Sequence, residues 1–361
     1  MSALTAAPSR RTTFHPLTVA AVDRMGDDAV AVTFDVPAEL SESYAFRAGQ
    51  SLTLRRLLGG RDERRSYSIC APAGDRPRIG VREVPGGLFS RWLVHEVSAG
   101  DVVEVSTPTG SFTPAAAPGG RHVLVAAGSG ITPVLSIAAT VLRDAGSNVT
   151  LVYGNRRTTS VMFAEELADL KDAYGPRFEL IHVLSREPRE VELFSGRLDA
   201  ERLRRILLAL VPLSAVDAFW LCGPYELVVA ARGVLADLGV GADRVHAELF
   251  HVDEPPAPVV HRDVGISGPS SEVTVVLDGR STTLTLPRDM PLLDSAQRVR
   301  ADLPFACKGG VCGTCRAKVS AGEVDMRRNY ALEADEVAKG FVLTCQSRPV
   351  SAAVTLDYDA S

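Results

Sequence analysis

Four of the chain's six cysteines fall between Cys307 and Cys345, spaced Cys307-x4-Cys312-x2-Cys315-x29-Cys345, with Gly309, Gly310 and Gly313 threaded through the same loop. This is the spacing with which four thiolates hold a 2Fe-2S cluster. Glycines suit such a loop because backbone N–H groups must come close to sulfur, and a Cβ would intervene. The competing arrangement, a four-cysteine zinc site, normally presents two C-x2-C pairs, and only one such pair occurs here. Six cysteines in 361 residues are too sparse for a disulfide framework. Reduced thiols around a metal centre are expected instead, in a reducing compartment.

Upstream, the pattern of the chain changes twice. From about residue 12 to 114, short alternating runs (LTVAAVDR, AVAVTFDV, QSLTLRR, RRSYSIC, DVVEVS) are broken by Gly, Pro and Asp, which predicts a small antiparallel β-barrel. From 119 to 251, apolar strands are followed by helical stretches: RHVLVAAG by TPVLSIAATVLRDAG, NVTLVYG by SVMFAEELADLKDAY, FELIHVLS by DAERLRRILLAL, and AFWLCG by YELVVAARGVLADLG. That alternation predicts an α/β domain with a parallel sheet. Residues 252–269 are rich in Pro, Gly and charge and lack periodicity, as an interdomain linker would be. The last domain, 270–361, opens with a hairpin pattern (EVTVVLDG, STTLTLP) and a short helix before the cysteine loop.

Composition bounds the function classes. With 46% hydrophobic and 23% charged residues, the chain can build several cores and is too ordinary for disorder. A net charge of -5, from 39 basic and 44 acidic residues, gives no nucleic-acid footprint. No run approaches the roughly 18 apolar residues of a membrane span, so no membrane insertion is expected. The N-terminal MSALTAAPSRRTTFHP lacks the apolar centre of a secretory signal. Cytoplasmic localisation is expected, a transit peptide being the alternative because no acidic residue precedes Asp23. The seven histidines are scattered without ligand spacing.

A one-electron centre needs an electron source, and two constellations answer. In the first domain, RRSYSIC places Arg65, Tyr67 and Ser68 on one strand, and GGLFSRWL follows at 86–93. An aromatic ring stacks on an isoalloxazine, a hydroxyl meets a flavin nitrogen, and an arginine pairs with a pyrophosphate. Gly86, Gly87 and Ser90 stand at a helix start, where N–H groups receive anions. With AGQ at 48–50 and PTGSF at 108–112, this run resembles the flavin domain of the ferredoxin-NADP reductase family. The resemblance implies FAD, with Arg65, Tyr67 and Ser68 at the flavin and Gly86, Gly87 and Ser90 near its phosphates.

In the second domain, VLVAAGSGITP sets Gly128, Gly130 and Thr132 after the first strand, where phosphates meet a helix N-terminus. Pro133 replaces the third glycine of a strict dinucleotide fingerprint, but Gly-x-Gly-x-Thr-Pro is how the same reductase family begins its nicotinamide half. CGP, with Cys222, Gly223 and Pro224, resembles its second nucleotide loop, which implies Cys222 near the nicotinamide; a buried strand-end thiol is the alternative. Glu248 and Phe250 of AELF fall where that family closes its reductase unit against the flavin. They also fit an ordinary strand end. After the second and third strands, Arg156, Arg157, Ser160, Ser185 and Arg186 offer cations and hydroxyls, and no acid intrudes until Glu165 and Glu187. A 2'-phosphate needs that set, whereas NAD sites usually place an acid on the ribose, so NADPH is expected; a solvated basic rim is the alternative.

The stretch from about 270 to 361 resembles plant-type ferredoxins, which implies a β-grasp fold. A nicotinamide delivers electrons in pairs and a 2Fe-2S cluster takes one, so a flavin belongs between them. The chain has no pair of Glu-x-x-His motifs of di-iron type and no facial triad, so the final oxidation belongs on another polypeptide. RRSYSIC, YGNRRTTSVMF and LIHVLSRE ahead of a C-terminal ferredoxin resemble the phenylacetyl-coenzyme A epoxidase reductase subunit family. That resemblance implies a reductase passing electrons from NADPH through FAD and the cluster to a separate di-iron oxygenase. Another hydroxylase or a fatty-acyl desaturase is the alternative acceptor, and a non-catalytic redox-sensing module is the alternative function.

Overall fold

The computed structural model describes residues 13–58, 61–114, 119–251, 268–277, 279–300 and 302–360. Residues 252–267 of the expected linker lie outside these. The described residues of Phe14–Asp253 form one compact unit and those of Glu254–Ser361 belong to another.

The first unit begins with six strands: β1 (Phe14–Arg24), β2 (Ala29–Asp35), β3 (Ser51–Leu58), β4 (Arg61–Ser68), β5 (Arg78–Arg82) and, after helix α1 (Leu88–His95), β6 (Val102–Ser106). They pair antiparallel in the order β4-β3-β6-β1-β2-β5. Alternate residues such as Leu17 and Val19, Leu52 and Leu54, and Val103 and Val105 point into one core, which Phe89 and Leu93 of α1 join. The expected barrel is an incompletely laddered one. Its edges β4 and β5 meet at a single bridge, Ile69↔Ile79, beside which Cys70 N–H donates to Arg78 O at 2.8 Å. The chain between them carries Pro72 and Pro77, which have no N–H to extend a ladder.

The sheet that follows is wholly parallel. Its strands are β7 (Gly120–Ala127), β8 (Ser147–Asn155), β9 (Phe178–Leu184), β10 (Ala218–Pro224) and β11 (Val245–His251), in the order β11-β10-β7-β8-β9. The chain leaves central β7 in one direction and later returns to its other side, so a crevice opens at the strands' carboxyl ends. Helices α2 (Ile131–Val141) and α3 (Ala164–Tyr174) cover one face, and α4 (Ala200–Leu210) and α5 (Tyr225–Asp237) the other. Helix α4 starts where Asp199 accepts from Arg202 N–H at 2.9 Å, a cap worth about 1 kcal/mol, and its Leu203, Ile206 and Leu207 turn inward. Helix α3 begins later than its periodicity suggests, because Phe163 is held left-handed at φ 59°.

Phe163 belongs to a core shared by both halves of this unit: Ala29, Ala31, Cys70 and Phe112 cluster with Ile131, Val134, Ile137 and Phe163. Gly80 of β5 makes the contact possible. A Cβ there would lie 2.5 Å from Thr132 Cγ2 and 2.7 Å from the Phe163 ring.

The second unit is a mixed sheet in the order β13-β12-β18-β14-β16, built from β12 (Ser270–Leu277), β13 (Arg280–Pro287), β14 (Arg316–Ala321), β16 (Phe341–Leu343) and β18 (Ala353–Asp357). Strands β15 (Val324–Met326) and β17 (Ser347–Pro349) form a small ribbon, and α7 (Ala334–Ala338) precedes β16. Central β12 and β18 run parallel while β12–β13 and β14–β18 are antiparallel, consistent with a β-grasp. Helix α6 (Leu292–Ala296) buries Leu292, Leu293 and Ala296 against Val273, Val275 and Leu343. Among the described residues, no helix is long and apolar enough to cross a membrane.

Candidate redox site

Strand β4 pairs with β3 so that Tyr67 faces Leu52 and Ser68 faces Ser51. Arg65 and Tyr67, two residues apart, share a side of the strand. Arg65 Nη1 donates to Arg64 O at 2.6 Å and meets Glu63 at 3.2 Å. Burial pushes the Tyr67 phenol up, against the pull of the Arg65 charge. The Ser68 hydroxyl donates to Glu248 Oε2 at 3.1 Å, a contact between the flavin-type half and β11. Glu248 in turn lies opposite Cys222 in the β10–β11 pairing. Ser68, Cys222 and Glu248, 180 residues apart at their extremes, are thus gathered in one place. Although Glu248 keeps some exposed surface, burial pushes its carboxyl up to about 7, opposed by the Ser68 hydrogen bond. The Cys222 thiol is wholly buried, and burial, then the Glu248 charge, raise it well above the ordinary thiol value. Phe250 packs on the shared core.

Gly86, at φ 73°, and Gly87 lead into α1, Gly87 as its N-cap. Ser90 is buried, and its hydroxyl is already engaged: it accepts from Val84 N–H at 3.0 Å and donates to Gly87 O at 3.5 Å. It closes the turn, within which Gly87 N–H also donates to Val84 O at 2.8 Å.

Gly128–Gly130 form a short 3-10 turn between β7 and α2. A Cβ on Gly130 would lie 2.3 Å from Cys222 O, so only glycine lets this turn close on the end of β10, where Gly223 and Pro224 precede α5. Thr132 is buried, donating to Ser129 O at 3.0 Å. Backbone pairing continues past β8 and β9: Ser185 N–H donates to Asn155 O at 2.9 Å and Arg186 N–H to Arg156 O at 2.8 Å. The exposed side chains of Arg156 and Arg186 therefore start from neighbouring backbone positions, with Arg157 and Ser185 beside them. The Ser160 hydroxyl is spent on Arg157, accepting from its N–H at 3.0 Å and donating to its carbonyl at 2.7 Å. Glu187 enters this basic group instead of lying beyond it. It accepts from Thr158 Oγ1 at 2.6 Å and N–H at 2.8 Å, and those bonds hold its carboxyl below the usual range.

Arg82 was not legible as a site residue. It ends β5, yet its side chain is only 14% exposed and reaches the other half, where Nη2 donates to Ser160 O at 2.6 Å. Nη1 lies 3.5 Å from where Gly128 would carry a Cβ. A basic residue in GVREV carries no motif, and only the packing of the two halves brings it to the glycine turn.

In the C-terminal unit, Cys307 Sγ receives the N–H groups of Gly309 at 3.3 Å and of Val311 and Cys312 at 3.4 Å. Lys308 is left-handed at φ 51°. It is pinned by Nζ to Asp294 at 2.8 Å and Gln297 at 2.9 Å, and by Gln346 Nε2 donating to its carbonyl at 2.8 Å. The thiols are gathered two and two: Cys307 with Cys312, and Cys315 with Cys345. The Cys312 thiol, then the amide donors, hold Cys307 down to about 5. Among the described residues no three His, Cys, Asp or Glu side chains converge as a single ion requires. Two pairs of thiolates and a cage of N–H donors fit a cluster of two irons, each taking two cysteines.

Comparison with known proteins covers most of the chain. Residues 16–113 match the oxidoreductase FAD-binding domain family, 124–233 the oxidoreductase NAD-binding domain family and 275–350 the 2Fe-2S iron-sulfur cluster binding domain family. The protein is therefore an oxidoreductase of the electron-transfer type, a reductase component with FAD, NAD and 2Fe-2S domains. The solved structure of phthalate dioxygenase reductase is 25% identical with a TM-score of 0.61, covering 95% of this chain and 98% of that one. The ferredoxin reductase component of 3-ketosteroid-9-alpha-monooxygenase from Rhodococcus rhodochrous is 34% identical over 95% of this chain and 96% of its own. A subunit of 1,2-phenylacetyl-CoA epoxidase from Escherichia coli is 43% identical over 97% of this chain and 99% of its own. The chain belongs to the family of that phenylacetyl-CoA epoxidase subunit, whose relatives include reductase components of oxygenase systems.

Proposed function

We propose that this protein carries electrons from NADPH to a separate di-iron oxygenase of the phenylacetyl-CoA epoxidase type, in the cytoplasm. The observation that carries the reading is the end-to-end similarity to the epoxidase's own subunit. Bound FAD supplies exchange of electrons in pairs with a nicotinamide and singly with a cluster. Arg65, Tyr67 and Ser68 hold the flavin ring and its chain, and Gly86 and Gly87, in a loop shaped by Ser90, receive its phosphates. The turn at Gly128, Gly130 and Thr132 takes the nicotinamide nucleotide with Gly223 and Pro224, and Arg82 supplies a cation from the flavin half. Arg156, Arg157, Ser185 and Arg186, on a turn closed by Ser160, favour NADPH. Cys307, Cys312, Cys315 and Cys345 hold the cluster. The domains run 12–114, 119–251 and 270–361, joined by the linker 252–269.

Mixing NADPH-reduced protein with the purified oxygenase component of phenylacetyl-CoA epoxidase should reduce that component and yield epoxide from phenylacetyl-CoA. No transfer to it, alongside rapid NADPH-dependent reduction of cytochrome c, would move the acceptor to another oxygenase. The similarity to the 3-ketosteroid system favours that second reading.

Ser68, Cys222 and Glu248 enclose the place where nicotinamide and flavin would meet, and Glu248 leaves a pH signature. Its carboxyl is raised from an ordinary 4.5 to about 7, so between those values the folded chain keeps a proton that the unfolded chain has released. Its stabilising contribution is full below pH 4.5 and is lost as pH rises through 7, about 3 kcal/mol in all. Glu248→Gln should match the parent near pH 4.5 and exceed it in urea midpoint above pH 7. Parallel pH profiles of the two would refute the assignment.

A further inference from the structure

Lys308 stands between Cys307 and the first glycine of the cysteine loop, and its backbone is strained. Its φ of 51° is one of two left-handed values taken by a non-glycine residue among the described residues. A side chain disfavours that conformation, which persists only where the surroundings impose it.

The surroundings grip Lys308 from two sides. Its Nζ donates to Asp294 Oδ1 at 2.8 Å, on α6, and to Gln297 Oε1 at 2.9 Å, just past the end of α6. The same ammonium lies 4.6 Å from the centre of the Phe305 ring. On the backbone side, the Lys308 carbonyl accepts from Gln346 Nε2 at 2.8 Å. Gln346 follows Cys345 and is itself fixed: its N–H donates to Leu343 O at 2.8 Å, and its carbonyl accepts from Arg327 N–H at 2.9 Å. Lys308 therefore ties the Cys307 loop both to α6 and to the segment that carries Cys345. With its ammonium committed and its side chain only 23% exposed, it is not a free cation for a partner.

We infer that Lys308 is a positioning residue whose tether to α6 raises the reduction potential of the cluster. The inference rests on the reading of the four cysteines as ligands of that cluster. Three N–H groups, of Gly309, Val311 and Cys312, reach Cys307 Sγ, and the first belongs to the residue directly after Lys308. The turn at Lys308 aims them. Donors to sulfur favour the reduced form, which carries more negative charge, and so raise the potential. The Lys308–Asp294 pair is neutral as a whole, so its part is to hold the turn and not to add charge.

The test is Lys308→Gly combined with Asp294→Leu in the full chain loaded with FAD and cluster. Net charge is unchanged, and glycine enters the left-handed turn freely, so the tether is what the pair of substitutions removes. A spectroelectrochemical titration of the cluster should give a lower potential than the parent, and iron should pass faster to a chelator. Gln297→Leu, which alters no charge and removes one of the two acceptors, should lower the potential by less, and it carries the test if the double variant fails to hold a cluster. An unchanged or raised potential overturns the inference, even where the urea midpoint falls, because a merely structural role would move stability alone. Failure of the underlying reading looks different: the parent itself would hold no iron and show no visible absorption beyond its flavin.

Discussion

Cys312→Ala should abolish NADPH-dependent reduction of cytochrome c while leaving reduction of ferricyanide by NADPH largely intact. Cys312 is one of the Cys307 pair, and its N–H and thiol both turn toward Cys307 Sγ. On the proposed ligand set, its loss would deprive one iron of half its protein ligands. Ferricyanide takes electrons from flavin directly, so it reports on the first unit, whose core shares no residue with that of the second. Visible absorption beyond the flavin bands should fall in parallel. Equal loss of both activities would show that the order of carriers is wrong or that the variant had unfolded the reductase unit.

Replacing Arg156 and Arg186 together by alanine should raise KM for NADPH roughly a hundredfold and leave KM for NADH nearly unchanged. One charged contact to a phosphate is worth about 1.5–3 kcal/mol, or tenfold to a hundredfold. The two positions are tied through the bond from Arg186 N–H to Arg156 O, so their effects need not add. Glu187, drawn among these cations by Thr158, opposes a phosphate, and two of its roughly four acceptor sites are already engaged. Steady-state kinetics with both nucleotides is the measurement. A parent that prefers NADH, or an equal rise for both, would refute the 2'-phosphate assignment.

The sequence patterns were most legible where covalent order and spatial neighbourhood coincide. The cysteine loop is such a case, since three of the four cysteines and the glycines lie within nine residues from Cys307 to Cys315. The parallel sheet was another, each of its first four strands in chain order followed by the helix that covers it. Less was legible where a residue acts across the fold. The Ser68–Glu248 bond spans 180 residues, and family resemblance rather than pattern drew both into view. Arg82 carries no motif at all: it becomes a candidate site residue by crossing between halves. Serine hydroxyls are harder to read for a different reason. Ser90 and Ser160 stand where ligand contacts belong, but each satisfies its own turn, a choice between local and ligand bonding that composition does not reveal. The barrel pattern predicted the strands but not the gap in the ladder, which depends on where two prolines fall.

Gly80 has a further consequence for anyone who would recombine this chain. Its bare backbone lets Thr132 and Phe163 seat against a strand of the other half, so the pieces that read as separate flavin and nucleotide cassettes are cut from one interior. A splice at residues 115–118 would leave Ala31, Cys70 and Phe112 facing water on one fragment and Ile131, Val134 and Phe163 on the other. Grafts onto related reductases should therefore transplant residues 14–251 as an indivisible block. The ferredoxin cassette, with a core of its own, is the natural unit of exchange.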